Sequence, residues 1–518
     1  MIIGETTSQL STLIIIAIAS LLASVATPLQ ADVIERASDF WLVESKEDLK
    51  TVSPNATALH LHQCDPSLLS DIPTQWNLEV IKITDFRGTV EERITALRGL
   101  LSTFHPVHVS IDPTAPIWSF KTEELAKTEV SKVVFDGFLN LRESQTAFLS
   151  RLPNLVSVEI LNCAIREAKA IENVCSLAHL QQLVVNIIEA HGARMSDRWL
   201  LKLANESRKL QELTLGGTAA VTEDGLLDVV KKCQIKKLHL ITWCASVDYL
   251  TLMTGLRDSS LTELELDLFN TMADPNTSAI LHAISKIEHL IKLELSGLAS
   301  ASSDSIGRLF QLSLKVLSLN GIHHDFVESI GEKAPAIQTL TELKLAGEFT
   351  LSEQLMSLLS KCPLERLSLE DMNADAAILS CSEDDRHELA SLTVKNVKWD
   401  GSPEGQLSNI CLAAKRMVLE TLPKQFAEVL IYESRSILEE LVVKDIAVSE
   451  MFKQRDAEFR CLWRLEWAAD SASAEDVEKL IVGLSAVTEC RFAWLSRNTQ
   501  QALQASFKAA GREVYFRN

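Results

Sequence analysis

One short pattern of leucines recurs along most of the chain and limits what it can fold into. In Leu261-Thr-Glu-Leu264-Glu-Leu266-Asp-Leu-Phe269 the apolar residues follow the order L-x-x-L-x-L-x-x-F. Because side chains alternate between the two faces of a β-strand, Leu264 and Leu266 share one face and the acidic residues take the other. A single strand of this length has too little apolar surface to form a core, so its leucines need similar neighbours.

The chain supplies these neighbours by repeating the unit at a spacing of about 25 residues. The clearest further copies begin at Leu290, Leu314 and Leu364. The same frame, read outward from Ala56 to Leu495, gives about eighteen units. In such an array each unit contacts only its neighbours and the core grows lengthwise, so a long chain needs no single compact globule.

Between the strands the apolar period changes to that of a helix. Gly225 to Val230 follows this period and is preceded by Thr222, a plausible helix N-cap; Ser352 to Leu359 is a second example. Helices are wider than strands, so stacking them outside a parallel sheet bends the array. The pattern therefore predicts an α/β solenoid, an arc or horseshoe with an inner parallel β-sheet and outer helices.

Two stretches carry a resemblance to a known family. The segments 213–227 and 362–369, the second reading Cys-Pro-Leu-Glu-Arg-Leu-Ser-Leu, are similar to the cysteine-containing leucine-rich repeats of F-box substrate adaptors, in the ribonuclease-inhibitor-like superfamily. The resemblance implies a leucine-rich-repeat array over residues 56–497 that binds other proteins. No F-box is recognisable ahead of the array, and residues 31–55 are expected to form an N-terminal cap.

The two ends of the chain have compositions of their own. Residues 1–30 are hydrophobic, with no charge between positions 10 and 29, and Ser24-Val25-Ala26 offers small residues for cleavage. This segment fits a signal peptide, a membrane anchor or a capping helix, although the first basic residue is Arg36. A secreted or membrane-anchored protein is favoured over a cytoplasmic one. Residues 498–518 are predicted to close the array with a helix and a strand.

Charge and cysteine usage narrow the function further. Acidic residues outnumber basic ones, 70 to 50, and the net charge of −20 argues against a nucleic-acid partner. Cys64 and Cys163 occupy the buried position after a strand, while Cys233 and Cys362 follow a helical run. These positions predict small buried residues with reduced thiols rather than a disulfide framework.

The strongest candidate surface is an acidic cluster on the exposed side of two neighbouring strands. Strands of one sheet lie about 5 Å apart, so like charges on adjoining strands repel each other. One interpretation is a concave binding patch for a basic protein partner; the other is a solvated strand face that resists aggregation, with Lys237 and Lys292 neutralising the acids. The four residues of this predicted patch are Glu263, Glu265, Asp267 and Glu294.

The other motifs in the sequence say less about function. Three sequons predict glycosylation at Asn55, Asn205 and Asn276. His60 and His62 share a strand face but have no matching carboxylate or thiol, so no metal is predicted. The sequence contains no phosphate-binding loop, nucleophile elbow or zinc-protease helix, and no cofactor is expected. We expect a non-enzymatic protein-interaction scaffold; the alternatives are a substrate-recognition adaptor of a ubiquitin ligase and a structural subunit of a larger assembly.

Overall fold

The computed structural model describes most of the repeat array. It divides into two compact units, Met1–Ala193 and Arg194–Asn518, which are treated separately. The described residues are 41–50, 52–53, 55–187, 195–217, 220–241, 246–268, 276–323, 326, 329–330, 334–374, 387–399, 412–444, 461–468, 487, 489–493, 504 and 513–517. The predicted leader at residues 1–30 and most of the closing helix after 498 lie outside these ranges.

The first unit is a parallel sheet whose strands pair in chain order, β1 to β7. Short helices or 3-10 turns connect most of its strands. The strands are β1 (Trp41–Val43), β2 (Ala58–His62), β3 (Val80–Thr84), β4 (His108–Ile111), β5 (Lys132–Asp136), β6 (Ser157–Cys163) and β7 (Gln182–Ile187). The helices are α1 (Lys46–Leu49), α2 (Val90–Phe104), α3 (Thr122–Leu125), α4 (Glu143–Thr146) and α5 (Ala168–Cys175), with 3-10 turns at Pro66–Asp71, Ile117–Ser119 and Leu149–Arg151.

The second unit repeats this plan over a longer distance, with one parallel sheet and a separate small sheet of β14, β16 and β18. Its strands are β8 (Glu212–Gly216), β9 (Lys237–Ile241), β10 (Glu263–Asp267), β11 (Lys292–Ser296), β12 (Val316–Ile322), β13 (Glu342–Gly347), β14 (Thr350–Leu351), β15 (Arg366–Glu370), β16 (Asn373–Ala374), β17 (His387–Lys395), β18 (Lys398–Trp399), β19 (Leu412–Glu420), β20 (Glu440–Lys444), β21 (Arg464–Ala468), β22 (Glu489–Ala493) and β23 (Glu513–Arg517). Its helices are α6 (Asp197–Glu206), α7 (Glu223–Cys233), α8 (Tyr249–Gly255), α9 (Thr277–Ile284), α10 (Ser303–Leu309), α11 (Ala336–Thr339), α12 (Glu353–Leu359) and α13 (Lys424–Ser434). The predicted final strand is β23.

The repeated leucines form the core between sheet and helices. Leu264 and Leu266 are each 1% exposed and lie in register with Leu293 and Leu295 of the next strand. Equivalent positions stack strand after strand, so each pair is covered by the pairs on either side. The helices contribute a matching apolar stripe; α7, for example, buries Leu226, Val229, Val230 and Cys233. The fold class predicted from the sequence, an α/β leucine-rich-repeat solenoid with a parallel sheet backed by helices, is confirmed.

A left-handed backbone residue ends many of the strands. The residue before the closing apolar position of the repeat has positive φ in Gln63, Asp85, Gly137, Asn162, Gly217, Gly297, Gly321, Asp371, Asn396 and Thr421. Glycine, asparagine and aspartate tolerate this conformation best, and a β-branched residue such as threonine tolerates it poorly. Several of these residues bond the next repeat; the N–H of Asn396 donates to the carbonyl of Glu420 at 3.0 Å.

Two local predictions need correction. The leucine frame of the repeat, started at Phe104, predicts that Val107 and Val109 are buried and that His108 is the exposed residue in the middle of β4. Val107 is instead 42% exposed, whereas Val109 and Ile111 are each 1% exposed, so the frame was two residues early. Both choices satisfy strand alternation, and only pairing with β3 and β5 separates them.

The second correction concerns the start of α7. Thr222 is the N-cap residue as predicted, but its side chain makes no capping hydrogen bond. Its hydroxyl donates instead to Asp197 Oδ2 at 2.8 Å, and its backbone N–H donates to Asp197 Oδ1 at 2.9 Å. The first residue of α6 thus anchors the N-cap residue of the neighbouring helix, an interaction that local spacing does not reveal.

The cysteine predictions agree with the structure where it describes them. Cys64, Cys163, Cys233 and Cys362 are buried free thiols. Burial raises the pKa of the Cys64 thiol to about 11 and that of Cys163 to about 12. These thiols are therefore protonated and poorly nucleophilic at neutral pH.

Candidate interaction surface

We call the long parallel sheet of the second unit, from β8 to β23 without β14, β16 and β18, the second sheet. Its exposed face is built from the residues that alternate with the buried leucines. The residue before each L-x-L pair aligns with its counterpart on the next strand, so these positions form a continuous row. From β8 to β21 the row reads Glu212, Lys237, Glu263, Lys292, Val316, Glu342, Arg366, Ser391, Arg416, Glu440 and Arg464. We call this set the charged row; acids and bases largely alternate along it.

Ion pairs join neighbouring members of the charged row. Lys237 Nζ lies 3.3 Å from Glu263 Oε1, and Arg366 contacts Glu342. Glu440 lies between two arginines: its Oε2 is 3.7 Å from Arg416 Nε and 3.5 Å from Arg464 Nη1. Opposite charges directly across a sheet stabilise pairing modestly, and here they also favour one register.

The predicted acidic patch lies within this pattern. Glu263 and Glu265 sit on β10, in register with Lys292 and Glu294 of β11. Lys292 Nζ is 2.6 Å from Glu294 Oε1, and Lys237 pairs with Glu263, so two lysines interleave with the acids. The four carboxylates and two lysines leave a formal charge of −4 + 2 = −2 over the set. The expected neutralisation by lysine is present, and the patch keeps a smaller negative excess.

His239 borders the patch on β9. Its Nδ1 lies 3.4 Å from Glu265 Oε2, and both side chains are largely buried, 14% and 15% exposed. Burial, with a smaller contribution from the nearby charge of Lys292, lowers the pKa of His239 to about 4. At neutral pH the imidazole is therefore uncharged, and its contact with Glu265 is not an ion pair.

A second line of charges runs along the opposite ends of the later strands. Glu370, Lys395, Glu420 and Lys444 align from β15 to β20. Lys395 Nζ lies 3.8 Å from Glu370 Oε1 and 3.9 Å from Glu420 Oε2, while Lys444 Nζ lies 3.8 Å from Glu420. The later part of the exposed face is thus charged at both strand ends and nearly balanced.

The exposed sheet face of the first unit holds fewer charges and more imidazoles. Lys132 Nζ lies 2.5 Å from Glu159 Oε1. His60 Nε2 and His62 Nδ1 both lie 2.8 Å from the hydroxyl of Thr84, so one oxygen bridges the two rings. Within the part of the chain that the structure describes, no group of three His, Cys, Asp or Glu side chains is arranged to hold a metal ion.

The remaining sequence predictions concern glycosylation and the hydrophobic amino-terminal segment. Asn55, Asn205 and Asn276 are all exposed, so each predicted glycosylation position is accessible. The hydrophobic stretch at residues 10–29 lies outside the described residues. Among the helices that the structure does describe, none combines the length and apolar character needed to cross a bilayer.

The chain matches no protein-family model and no curated protein. Among solved structures it aligns with an internalin from Listeria monocytogenes at 13% identity, covering 77% of this chain and 90% of the internalin chain, with a TM-score of 0.28. A superposition that poor supports no conclusion about function. The fold is established by the parallel pairing and stacked leucines described above.

The charged row was not recognised from the sequence, although the sequence contains it. Aligning the repeats on their leucines places Lys237, Glu263 and Lys292 in one column, and Glu342, Arg366 and others continue it. Only Lys237, Glu263 and Lys292 of this column were predicted to meet, and its continuation along the later strands was not predicted. Which acid meets which base still depends on the strand register.

Proposed function

We propose that the protein is a non-enzymatic scaffold that binds a protein partner on the exposed face of its second sheet. The supporting observation is the uninterrupted series of paired parallel strands from β8 to β21, excluding β14, β16 and β18 of the small sheet, each of which contributes exposed side chains to one face. Partners engage repeat solenoids by lying along such surfaces. The mixed charges favour a polar partner surface with complementary acids and bases over an apolar one.

The patch of Glu263, Glu265, Asp267 and Glu294 is the proposed point of contact for a basic element of that partner. Its negative excess survives the pairing with Lys237 and Lys292. Because the lysines already satisfy part of the charge, we expect the patch to set orientation and association rate more than total affinity. At low salt the attraction between the patch and a basic partner is screened less, so binding should be stronger.

A photo-crosslinking residue at position 294 tests the location. We expect it to form protein adducts in cells, whereas the same residue at Lys232 on helix α7 should not. The captured partner is then purified and its affinity measured. Replacing Glu265 and Glu294 together by alanine should weaken binding about tenfold.

The matched control removes the same two charges from helices, by Asp228→Ala with Asp304→Ala, and should leave affinity unchanged. Equal loss in both double variants, or no loss in either, would disprove the proposed surface. Stoichiometric recovery of a Skp- or cullin-type protein would instead favour the ubiquitin-ligase adaptor, and obligatory co-purification in a fixed complex would favour a structural subunit.

A further inference from the structure

A groove in the first unit lies away from the exposed sheet face, at the carboxyl ends of β4 and β5. It lies between the turn Pro113–Trp118 and the loop Gly137–Gln145 and encloses about 500 Å³. That volume falls within the range of sites that hold a large side chain or small ligand. No sequence motif in either segment predicts a groove.

Apolar residues form the floor and one rim of the groove. Trp118 is half-buried and meets the buried Phe138 edge-on, with ring centroids 5.9 Å apart at 68°. Pro113 is exposed on one side, and Leu139 on the other is 80% exposed. An indole, a proline and an exposed leucine around one concavity are suited to receive a bulky apolar side chain.

The exposure of Leu139 does not come from a loose loop. On either side of it, Gly137 N–H donates to Leu161 O at 3.1 Å, and Leu141 N–H donates to Ala164 O at 2.9 Å. The carbonyl of Phe138 accepts from Ala164 N–H at 2.7 Å. The next repeat thus fixes the loop on both sides of the leucine, so binding there costs little ordering of the backbone.

The opposite wall is equally well braced. The buried carboxylate of Asp112 accepts from the backbone N–H and the hydroxyl of Thr114, at 2.8 and 2.5 Å. Arg93 Nη1 donates to the carbonyl of Thr114 at 2.7 Å. The groove is therefore formed by two fixed walls rather than by side chains alone.

The charge of the groove sets it apart from the rest of the chain. Among the described residues that line it there is no aspartate or glutamate, although the protein carries a net charge of −20. The one charged residue among them is the exposed Arg142. The backbone N–H of Arg142 donates to Gln145 Oε1 at 2.9 Å, which ties this residue to the loop on its own side of the groove. The guanidinium of Arg142 and the indole N–H of Trp118 can only donate hydrogen bonds, and the guanidinium is positively charged, so these two groups suit an anionic, acceptor-bearing ligand.

We propose that this groove binds a peptide segment of a partner protein in which a bulky apolar residue lies next to an acidic one. The apolar side chain enters between Trp118 and Leu139, and the carboxylate reaches Arg142. This docking site lies outside the acidic patch and does not depend on it.

A phage-displayed library of random dodecapeptides, selected on the full chain, tests the assignment. We expect enriched sequences to carry Trp, Phe, Leu or Met within two residues of Asp or Glu. Their affinity should fall about tenfold in Arg142→Gln, the usual scale for losing a charge-assisted hydrogen bond. Leu139→Ala should lower the peptide affinity by a similar factor. Lys127→Gln, which changes an exposed lysine outside the groove, should have no effect on it.

A charge reversal makes the test independent of folding defects. The Arg142→Glu variant should no longer bind the acidic peptides. It should bind the same peptides when lysine replaces their acidic residue. Failure of this rescue, absence of enriched peptides, or equal binding by Arg142→Gln and wild type would overturn the proposal. Self-association abolished by Leu139→Asp would assign the groove to a second copy instead. Insensitivity of the selected peptides to Glu265→Ala with Glu294→Ala separates this site from the proposed sheet-face function.

Discussion

Three glycines allow the backbone geometry of the repeat to be tested by one change, glycine to alanine. Gly347 ends β13 with φ of 136°, Gly137 follows β5 with φ of 73°, and Gly99 lies in helix α2 without a positive φ. An added Cβ at Gly99 or Gly137 meets nothing within 4 Å. At Gly347 it would lie 2.5 Å from the nitrogen of Ile322 and closer still to its carbonyl oxygen.

These differences give three distinct free energies of unfolding. Gly99→Ala should stabilise by about 1 kcal/mol, because alanine is the better helix former. Gly137→Ala should destabilise the protein by about 1 kcal/mol. Alanine is strained in the left-handed conformation of the folded state, and this cost exceeds the gain from the lower entropy of the unfolded chain. Gly347→Ala adds a clash with backbone to a conformation nearly restricted to glycine, so we expect a loss of roughly 4 kcal/mol.

Denaturant-dependent hydrogen exchange, read peptide by peptide, measures these effects separately in the two units. We expect the free energy of unfolding to be higher than wild type in Gly99→Ala, slightly lower in Gly137→Ala and much lower in Gly347→Ala. If Gly137→Ala and Gly347→Ala cost the same, the close approach of β13 to Ile322 would be wrong. A destabilising Gly99→Ala would refute the helical assignment of α2 at that residue.

Three further variants test side chains on the second sheet and in the turn that follows its strand β19. The pKa of His239 is about 4 in the folded protein, below the ordinary value of 6.5, so between these two values the unfolded state binds protons more readily. The free energy of unfolding should therefore fall by about 3 kcal/mol as the pH drops from about 6.5 to 4. In denaturation measured at several pH values, His239→Gln should lack this decrease. Thr421→Asn relieves a β-branched residue at φ of 52° and should raise the unfolding free energy by about 1 kcal/mol in urea titrations. Glu440→Gln leaves Arg416 and Arg464 facing each other and should cost about 1 kcal/mol at low salt and less at high salt; a salt-independent effect would contradict the ion pairing.

The buried core could be predicted because every repeat carries the same apolar pattern. Each L-x-L pair obeys strand alternation, and the repeat distance brings the next pair beside it, so an error in one unit is corrected by its neighbours. The β4 unit shows the limit of this logic. Val107, Val109 and Ile111 are all apolar at alternate positions, and the choice between them is made by pairing with the adjacent strands.

The strand-ending turns were also readable in principle. The residue before the closing apolar position is often Gly, Asn or Asp, as at Gly137, Asn162 and Asn396, and these are the residues that adopt positive φ most easily. The interaction surfaces are different in kind. The neutral state of His239 depends on burial by neighbouring strands, and the groove at Trp118 and Leu139 joins two irregular segments that share no repeat position.

The claim on which the account depends is that alternate residues of each strand face opposite environments. Single cysteines at Leu264, Glu263, Leu293 and Glu294 test it through alkylation rates of the native protein, read by peptide mass spectrometry. Cysteines replacing the two glutamates, which are 26% and 25% exposed, should react at least about tenfold faster than those replacing the leucines. Equal rates at all four positions, or faster reaction at the leucine positions, would contradict the fold.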